Sequence, residues 1–267
     1  MTDELLWAQA GPVGTITLNR PEKLNAVTPA MLTALDECLD RAEQDDTVRV
    51  LLISGAGRAF CAGADISRPQ TTELRALWAR DARHTERQLR MWSFPKPTVA
   101  VVQGYCLGRG CEIALSCDLV LAEEDARIGE PEIRQGSVLS SIVPWMVGMQ
   151  HAKRFLFTGD MFSGREAVAI GLVADVVPTG EGLERGTRLA ERIAHIPPLV
   201  AAAVKRVVNT AYESAGLRAA VQANLLLAAS LDGLSAEELG TAELTEIRRT
   251  EGMKAFLEAR DGPFRVP

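Results

Sequence analysis

The chain has 267 residues, 47% of them hydrophobic, a formal net charge of -6 and five cysteines. That length and apolar content suffice for one large domain, or one domain plus an appendage, without disulfides or a metal to hold it together. The acidic balance argues against a large nucleic-acid footprint, which needs a concentrated basic face, and leaves open only a local basic patch for one anionic ligand.

Cys38, Cys61, Cys106, Cys111 and Cys117 are odd in number and form no C-x-x-C pair. This argues against a disulfide scaffold and a zinc site, and for reduced thiols in the cytoplasm. His84, His151 and His195 lack ligand spacing and read as ordinary surface or interface residues, so no metal is expected. Residues 1–7 carry Asp3 and Glu4 before a short apolar run, unlike a basic export signal. Arg109, Glu112, Pro144 and Lys205 interrupt the longest apolar stretches before they reach the roughly 20 residues of a membrane span. No membrane partner is expected.

In chain order, the Gly11-Pro12 turn predicts a hairpin of strands near residues 5–9 and 13–18. Thr28-Pro29 supplies an N-cap and a first-turn proline, and Met31, Leu32, Leu35 and Leu39 recur at helical spacing toward Gln44. Buried strands are predicted over 48–54, 98–103 and 118–122, with a fourth short one at 173–177. A polar helix between the first two carries Arg68, Arg75, Arg80, Arg83, Arg87 and Arg90, offset by Glu73, Asp81 and Glu86. It reads as a solvated face or as a contributor to anionic-ligand binding. A further helix spans about 108–117. After Pro178 helices take over, at 183–196, 199–212, 217–231 and around 253–260. The composition shift near Pro197-Pro198 divides a core, residues 1–196, from a C-terminal helical region, residues 197–267. The first half is therefore α/β with crossover connections, whose ligand sites lie at the strands' C-terminal ends, here 55–65 and 104–112.

Several familiar motifs fail. Gly55-Ala56-Gly57-Arg58-Ala59-Phe60 has Phe60 where a dinucleotide fingerprint needs its third glycine, and neither a phosphate loop nor a nucleophile elbow is present. What stands out is two loops of small residues, Cys61-Ala62-Gly63-Ala64-Asp65 and Gly104-Tyr105-Cys106-Leu107-Gly108-Arg109-Gly110. Small side chains let a ligand approach the backbone, and the second loop opens a helix whose first N–H groups lack internal partners. Such donors can stabilise an oxyanion; tight packing of turn on sheet is the alternative. Glu112 lies in the first turn of that helix within an apolar run, and Glu132 follows the stiff Pro131. Two carboxyls on opposite sides of one water can serve as base and acid.

Asn19-Arg20-Pro21-Glu22-Lys23-Leu24-Asn25-Ala26, Ser54-Gly55 through Phe60-Cys61-Ala62-Gly63-Ala64-Asp65-Ile66, Gly104-Tyr105 through Gly110-Cys111-Glu112, Pro131-Glu132, Thr158-Gly159-Asp160 with Ala167 and Gly171-Leu172-Val173, and Glu251-Gly252-Met253-Lys254-Ala255-Phe256 form a collinear series. In order and spacing it resembles the crotonase (enoyl-CoA hydratase/isomerase) superfamily over nearly the whole chain. The resemblance implies an α/β, crotonase-like spiral of ββα units with a C-terminal helical trimerisation region, assembled as homotrimers or dimers of trimers. It implies an acyl-CoA substrate, with coenzyme A as part of the substrate and no separate cofactor.

By position, the N–H groups of Ala64 and Arg109 would form the oxyanion hole, and Glu112 and Glu132 would add water to a 2-enoyl-CoA. Leu24, Ala26, Ala62, Asp65, Ile66 and Gly108 would line the CoA path. Isomerisation or thioester hydrolysis, and non-catalytic CoA or RNA binding, are the alternative functions. Three places depart from the family pattern. Arg109 replaces a small residue, so its side chain must turn away or reach an anionic group. Val138-Leu139-Ser140-Ser141 replaces a Pro- and Gly-rich run, and Ser67 replaces a lysine. Glu130 adds a third carboxyl beside Pro131-Glu132.

Overall fold

The computed structural model of the chain describes residues 3–66, 73–137 and 142–265. Its strands are β1 (Leu5–Ala10), β2 (Val13–Leu18), β3 (Val50–Gly55), β4 (Thr98–Val102), β5 (Tyr105–Leu107), β6 (Leu119–Glu123), β7 (Arg127–Gly129), β8 (Phe162–Ser163) and β9 (Asp175–Val177). β1 and β2 are an antiparallel hairpin, and from β2 onward the sheet β1-β2-β3-β4-β6-β9 is parallel. β5, β7 and β8 form a second, three-stranded sheet. The helices are α1 (Pro29–Gln44), α2 (Leu74–Trp92), α3 (Arg109–Leu115), α4 (Val143–Met146), α5 (Met149–Thr158), α6 (Gly164–Ala169), α7 (Gly182–Ala194), α8 (Pro198–Ser214), α9 (Leu217–Asp232), α10 (Ala242–Thr250) and α11 (Met253–Asp261).

The continuous apolar runs of β3 and β4 follow from burial on both faces. Alternate residues Leu51, Ile53, Ala100 and Val102 join the core under α1, with Met31, Leu35 and Leu39. The intervening Val50, Leu52, Val99 and Val101 meet Ala190 and Ala194 of α7. Gly186 lets α7 lie close, since a Cβ there would fall 2.2 Å from a Val101 methyl. α1 starts as predicted: the Thr28 hydroxyl accepts the Met31 N–H at 3.0 Å, with proline in the first turn.

The structure revises parts of the sequence reading. Within 173–177 only the last three residues are strand, and the first buried strand starts at Val50 rather than Val48. The second sheet, α4 to α6 and α10 were not foreseen. On the arginine helix Arg75 and Arg83 are exposed, whereas three other arginines are engaged in ion pairs. Arg87 grips Asp36 of α1 at 2.9 and 2.6 Å, Arg90 reaches Asp40 at 2.5 Å, and Arg80 joins Asp81 at 2.8 Å and also Asp232 of α9. Arg68 lies outside the described residues. α9 packs on α2 through Leu89, Leu217 and Val221. α8 is tied down by Lys205 to Asp118 at 2.8 Å and Asn209 to the Trp92 carbonyl at 2.8 Å, while Leu199, Val204 and Val207 point outward. Among the described residues no helix is long and apolar enough to cross a membrane.

One buried side chain stitches the loops at the C-terminal ends of β2 and β3. Asn25, at φ +57°, accepts the Arg20 N–H at 2.8 Å and donates to the Ala56 and Ala59 carbonyls at 2.9 and 2.7 Å. Asn25→Ala would strand those backbone groups and place alanine in the left-handed region. It is expected to lower stability by at least about 2 kcal/mol in urea unfolding; an unchanged midpoint would show that the latch is dispensable.

Candidate active site

Backbone pairing brings the two small-residue loops together. The Cys61 N–H donates to the Tyr105 carbonyl at 2.8 Å and the Leu107 N–H to the Cys61 carbonyl at 2.9 Å, a parallel bridge between Cys61 and Cys106. Three residues further along each path stand Ala64 and Arg109. Gly110 permits the approach, because a Cβ there would lie 2.6 Å from that of Cys61. On its other side the first loop pairs with Val27, whose N–H donates to the Gly63 carbonyl and whose carbonyl accepts the Asp65 N–H, at 2.8 and 2.9 Å. That pattern engages Gly63 and Asp65 and skips the Ala64 N–H, which has no backbone acceptor among the described residues. The Arg109 N–H, at the start of α3, also has none.

Glu132 lies in the turn Pro131–Gln135, and its carboxylate rests against both loops. A Cβ on Gly108, at φ +49°, would fall 1.5 Å from Glu132 Oε1, and one on Gly63, at φ +99°, would fall 3.2 Å from it. Only glycine gives the carboxylate this place. Burial pushes Glu132 up to about 7, the Glu112 charge adds to the rise, and Arg260 and Arg109 oppose it. Among the described residues its Oε2 has no hydrogen-bond partner.

Glu112 is buried, as its apolar run predicted, and it is not alone. Arg109 Nη1 donates to its Oε2 at 2.6 Å, one helical turn away. Burial raises the proton affinity of Glu112, the Arg109 guanidinium opposes this, and the Asp81 charge adds to it. Glu130 is 3% exposed, and neither of its carboxyl oxygens has a hydrogen-bond partner among the described residues. Burial first, then Cys111, Glu132 and Glu112, hold its proton well above the ordinary carboxylate range.

The positions assigned to the CoA path gather on one rim. The Ala62 N–H donates to the Leu24 carbonyl at 2.9 Å, and the Ala26 carbonyl accepts from Arg20 Nη1 at 2.6 Å. Asp65 pairs with the same Arg20 at 3.1 Å, and Ile66 offers its carbonyl to Arg248 of α10. Leu24, Ala26, Ala62, Asp65 and Ile66 are all partly exposed, whereas Gly108 is buried beneath Glu132. Ser67 and positions 138–141 lie outside the described residues. Sequence reasoning did not anticipate Asn25 and Arg20 as organisers or Arg260 as a charge acting on Glu132. It left the Arg109 side chain either to turn away or to reach an anionic group; the i,i+3 spacing to Glu112 was the available signal.

A pair of open N–H groups beside two carboxyls of unequal surroundings can polarise a carbonyl and move protons at adjacent carbons. Comparison with known proteins places the chain in a family. The family model described as enoyl-CoA hydratase/isomerase matches residues 8–266. The 2,3-dehydroadipyl-CoA hydratase of Escherichia coli is 35% identical, with 98% of each chain covered. The short-chain-enoyl-CoA hydratase of Clostridium acetobutylicum is 31% identical over 97% of this chain and 96% of its own. A crystal structure of an enoyl-CoA hydratase/isomerase from Xanthobacter autotrophicus Py2 superposes with a TM-score of 0.93 at 33% identity, covering both chains completely. The chain belongs to the enoyl-CoA hydratase/isomerase family and has its crotonase-type α/β fold.

Two outcomes follow from Glu132. A carboxyl whose affinity rises from 4.5 unfolded to about 7 folded favours the native state while protonated. Its contribution is full below about pH 4.5 and is lost as pH climbs to about 7. At about 1.4 kcal/mol per pH unit the loss is bounded near 3 kcal/mol. Glu132→Gln should therefore be more stable than wild type by about 2 kcal/mol at pH 8 and indistinguishable near pH 4.5, by chemical denaturation at both. Gly108→Ala should expel the carboxylate and reduce turnover of an acyl-CoA substrate by about two orders of magnitude. Gly148→Ala, in open space at ordinary φ, should change nothing.

Proposed function

We propose that this protein is an enoyl-CoA hydratase, which adds water across the α,β-double bond of a 2-enoyl-CoA thioester. The observation that carries the reading is the seat of Glu132 against Gly63 and Gly108, the glycines that precede Ala64 and Arg109, with Glu112 buried one turn further along α3. The thioester oxygen accepts those two N–H bonds, each contributing about 2.7–4 kcal/mol as enolate charge develops. Glu112 takes a proton from water as its oxygen bonds to the β-carbon. Glu132, which holds its proton up to about pH 7, delivers it to the α-carbon. The carboxyls then exchange protons through solvent and the site is reset. Coenzyme A enters as part of the substrate along the rim formed by Leu24, Ala26, Ala62, Asp65 and Ile66.

The hydratases named above support this reading at 31–35% identity. The outward apolar face of α8, with Leu199, Val204 and Val207, supports assembly as trimers or paired trimers. Five buried free thiols suit a reducing cytoplasm. A second reading, a double-bond isomerase or thioester hydrolase, is favoured by the Arg109–Glu112 pair, which occupies one oxygen of Glu112 and leaves Glu132 the freer proton carrier.

Loss of the enoyl-thioester absorbance with crotonyl-CoA and longer 2-enoyl-CoAs tests the choice. Hydration is expected, and Glu112→Gln and Glu132→Gln should each reduce kcat by about 100-fold or more. Bound CoA without hydration of any chain length would remove the hydratase assignment, and a shifted double bond or free CoA among the products would select the second reading.

A further inference from the structure

We propose that the Arg109 side chain is a positioning group that divides acid from base in this site, holding Glu112 as a fixed anion and leaving Glu132 to carry the proton. The inference rests on the hydratase reading of the same site. Arg109 thus acts twice: its main-chain N–H faces the thioester oxygen, and its guanidinium anchors the carboxylate one turn further along α3.

The pair is buried, with side-chain exposures of 10% for Arg109 and 9% for Glu112 at a separation of 2.6 Å. Solvent and salt screen such a pair weakly. The bond occupies Glu112 Oε2 and limits the rotamers of the side chain, so Oε1 is the oxygen left to meet a water.

The other groups around Glu112 do not substitute for this cation. From α2, Asp81 is held by Arg80 at 2.8 Å, and Arg87, which lines the same narrow cavity, is committed to Asp36 at 2.9 and 2.6 Å. His84, in that cavity too, is kept neutral down to about 2, by burial first and by Arg109 next. α1 contributes the apolar Leu32, and α3 itself contributes Ile113 and Ser116. The turn carrying Glu130 and Glu132 presents acids, with Arg260 of α11 acting on Glu132. Without Arg109, Glu112 would face burial, Asp81 and two further carboxyls, all of which favour its protonated form. A protonated Glu112 cannot accept a proton from water.

The test uses Arg109→Met and Arg109→Lys, both of which keep the main-chain N–H. In the full-length protein labelled with carboxyl-13C glutamate, the Glu112 resonance is identified by its disappearance in Glu112→Gln. Its titration midpoint, measured without substrate, should rise by more than about one pH unit in Arg109→Met and by less in Arg109→Lys. With 2-enoyl-CoA, Arg109→Met should lower kcat by about tenfold or more at near-constant KM, with the acid limb of kcat/KM moved to higher pH. Added to Glu112→Gln, Arg109→Met should cost nothing further, because its effect runs through that carboxylate. An unmoved Glu112 midpoint, or an equal loss with and without Glu112, would overturn the proposal. Should Arg109→Met fail to fold, Arg109→Lys carries the same titration. If the wild type hydrates nothing, the hydratase reading falls, and the substrate-free titration still decides whether Arg109 holds Glu112 charged.

Discussion

The site depends on one register: residue 61 lies beside residue 106, two backbone bonds hold them there, and Gly110 lets the chains close up. Shift either path by one residue and Ala64 and Arg109 no longer stand three residues beyond the bridge. The same absence of side chains at Gly63 and Gly108 makes room for the Glu132 carboxylate. Backbone donors and an acid therefore share a space that a single methyl group would fill. Pairing of this kind is rigid, and rigid donors need no reorganisation when charge develops near them.

Around that space the chain buries more ionisable groups than stability alone favours. Glu112, Glu130 and Arg109 are all under 10% exposed. One positive partner cannot satisfy three acids, counting Glu132, so their proton affinities must separate. The acid bonded to the guanidinium gains a counter-charge, the acid between glycines rises to about 7, and the acid with no hydrogen-bond partner among the described residues is held well above the ordinary range. The separation follows from unequal burial and unequal access to Arg109 and Arg260, not from a difference in residue type.

Much of this was legible beforehand because it is local. The hairpin, α1, β3, β4, β6 and α3 declare themselves through turn residues, a capping threonine and unbroken apolar runs, and their limits fall within about two residues of those expected. The burial of Glu112 was written in its apolar neighbours. The second sheet was not legible, since strands of two or three residues such as β7 and β8 carry no period and exist through partners distant in sequence. Nor was the use of the arginines of α2: Arg87 meets Asp36 across 51 positions, a pairing set by how α1 and α2 pack. Composition reported the charge on α2 but not its address. The collinear motifs pointed to the family, which the family model bears out, whereas the Arg109–Glu112 bond lies at a departure from that pattern.

The C-terminal helices differ from the core in composition, yet their charges reach the site. Arg134, in the turn that carries Glu132, bonds Asp160 and Asp261 at 3.2 Å each and so joins that turn to α11. Arg260 of α11 is buried, pairs with Asp261 at 2.8 Å, and lowers the proton affinity of Glu132. Arg248 of α10 meets the Ile66 carbonyl at the rim of the first loop. Removing these helices would uncover Glu132 and delete a cation beside it, which act in opposite directions on its proton. Exposure lowers the affinity by restoring water, and loss of Arg260 raises it. Since burial is the largest influence on Glu132, exposure prevails. A core without its helical cover would therefore retain both small-residue turns while Glu132 loses the raised proton affinity that burial gives it.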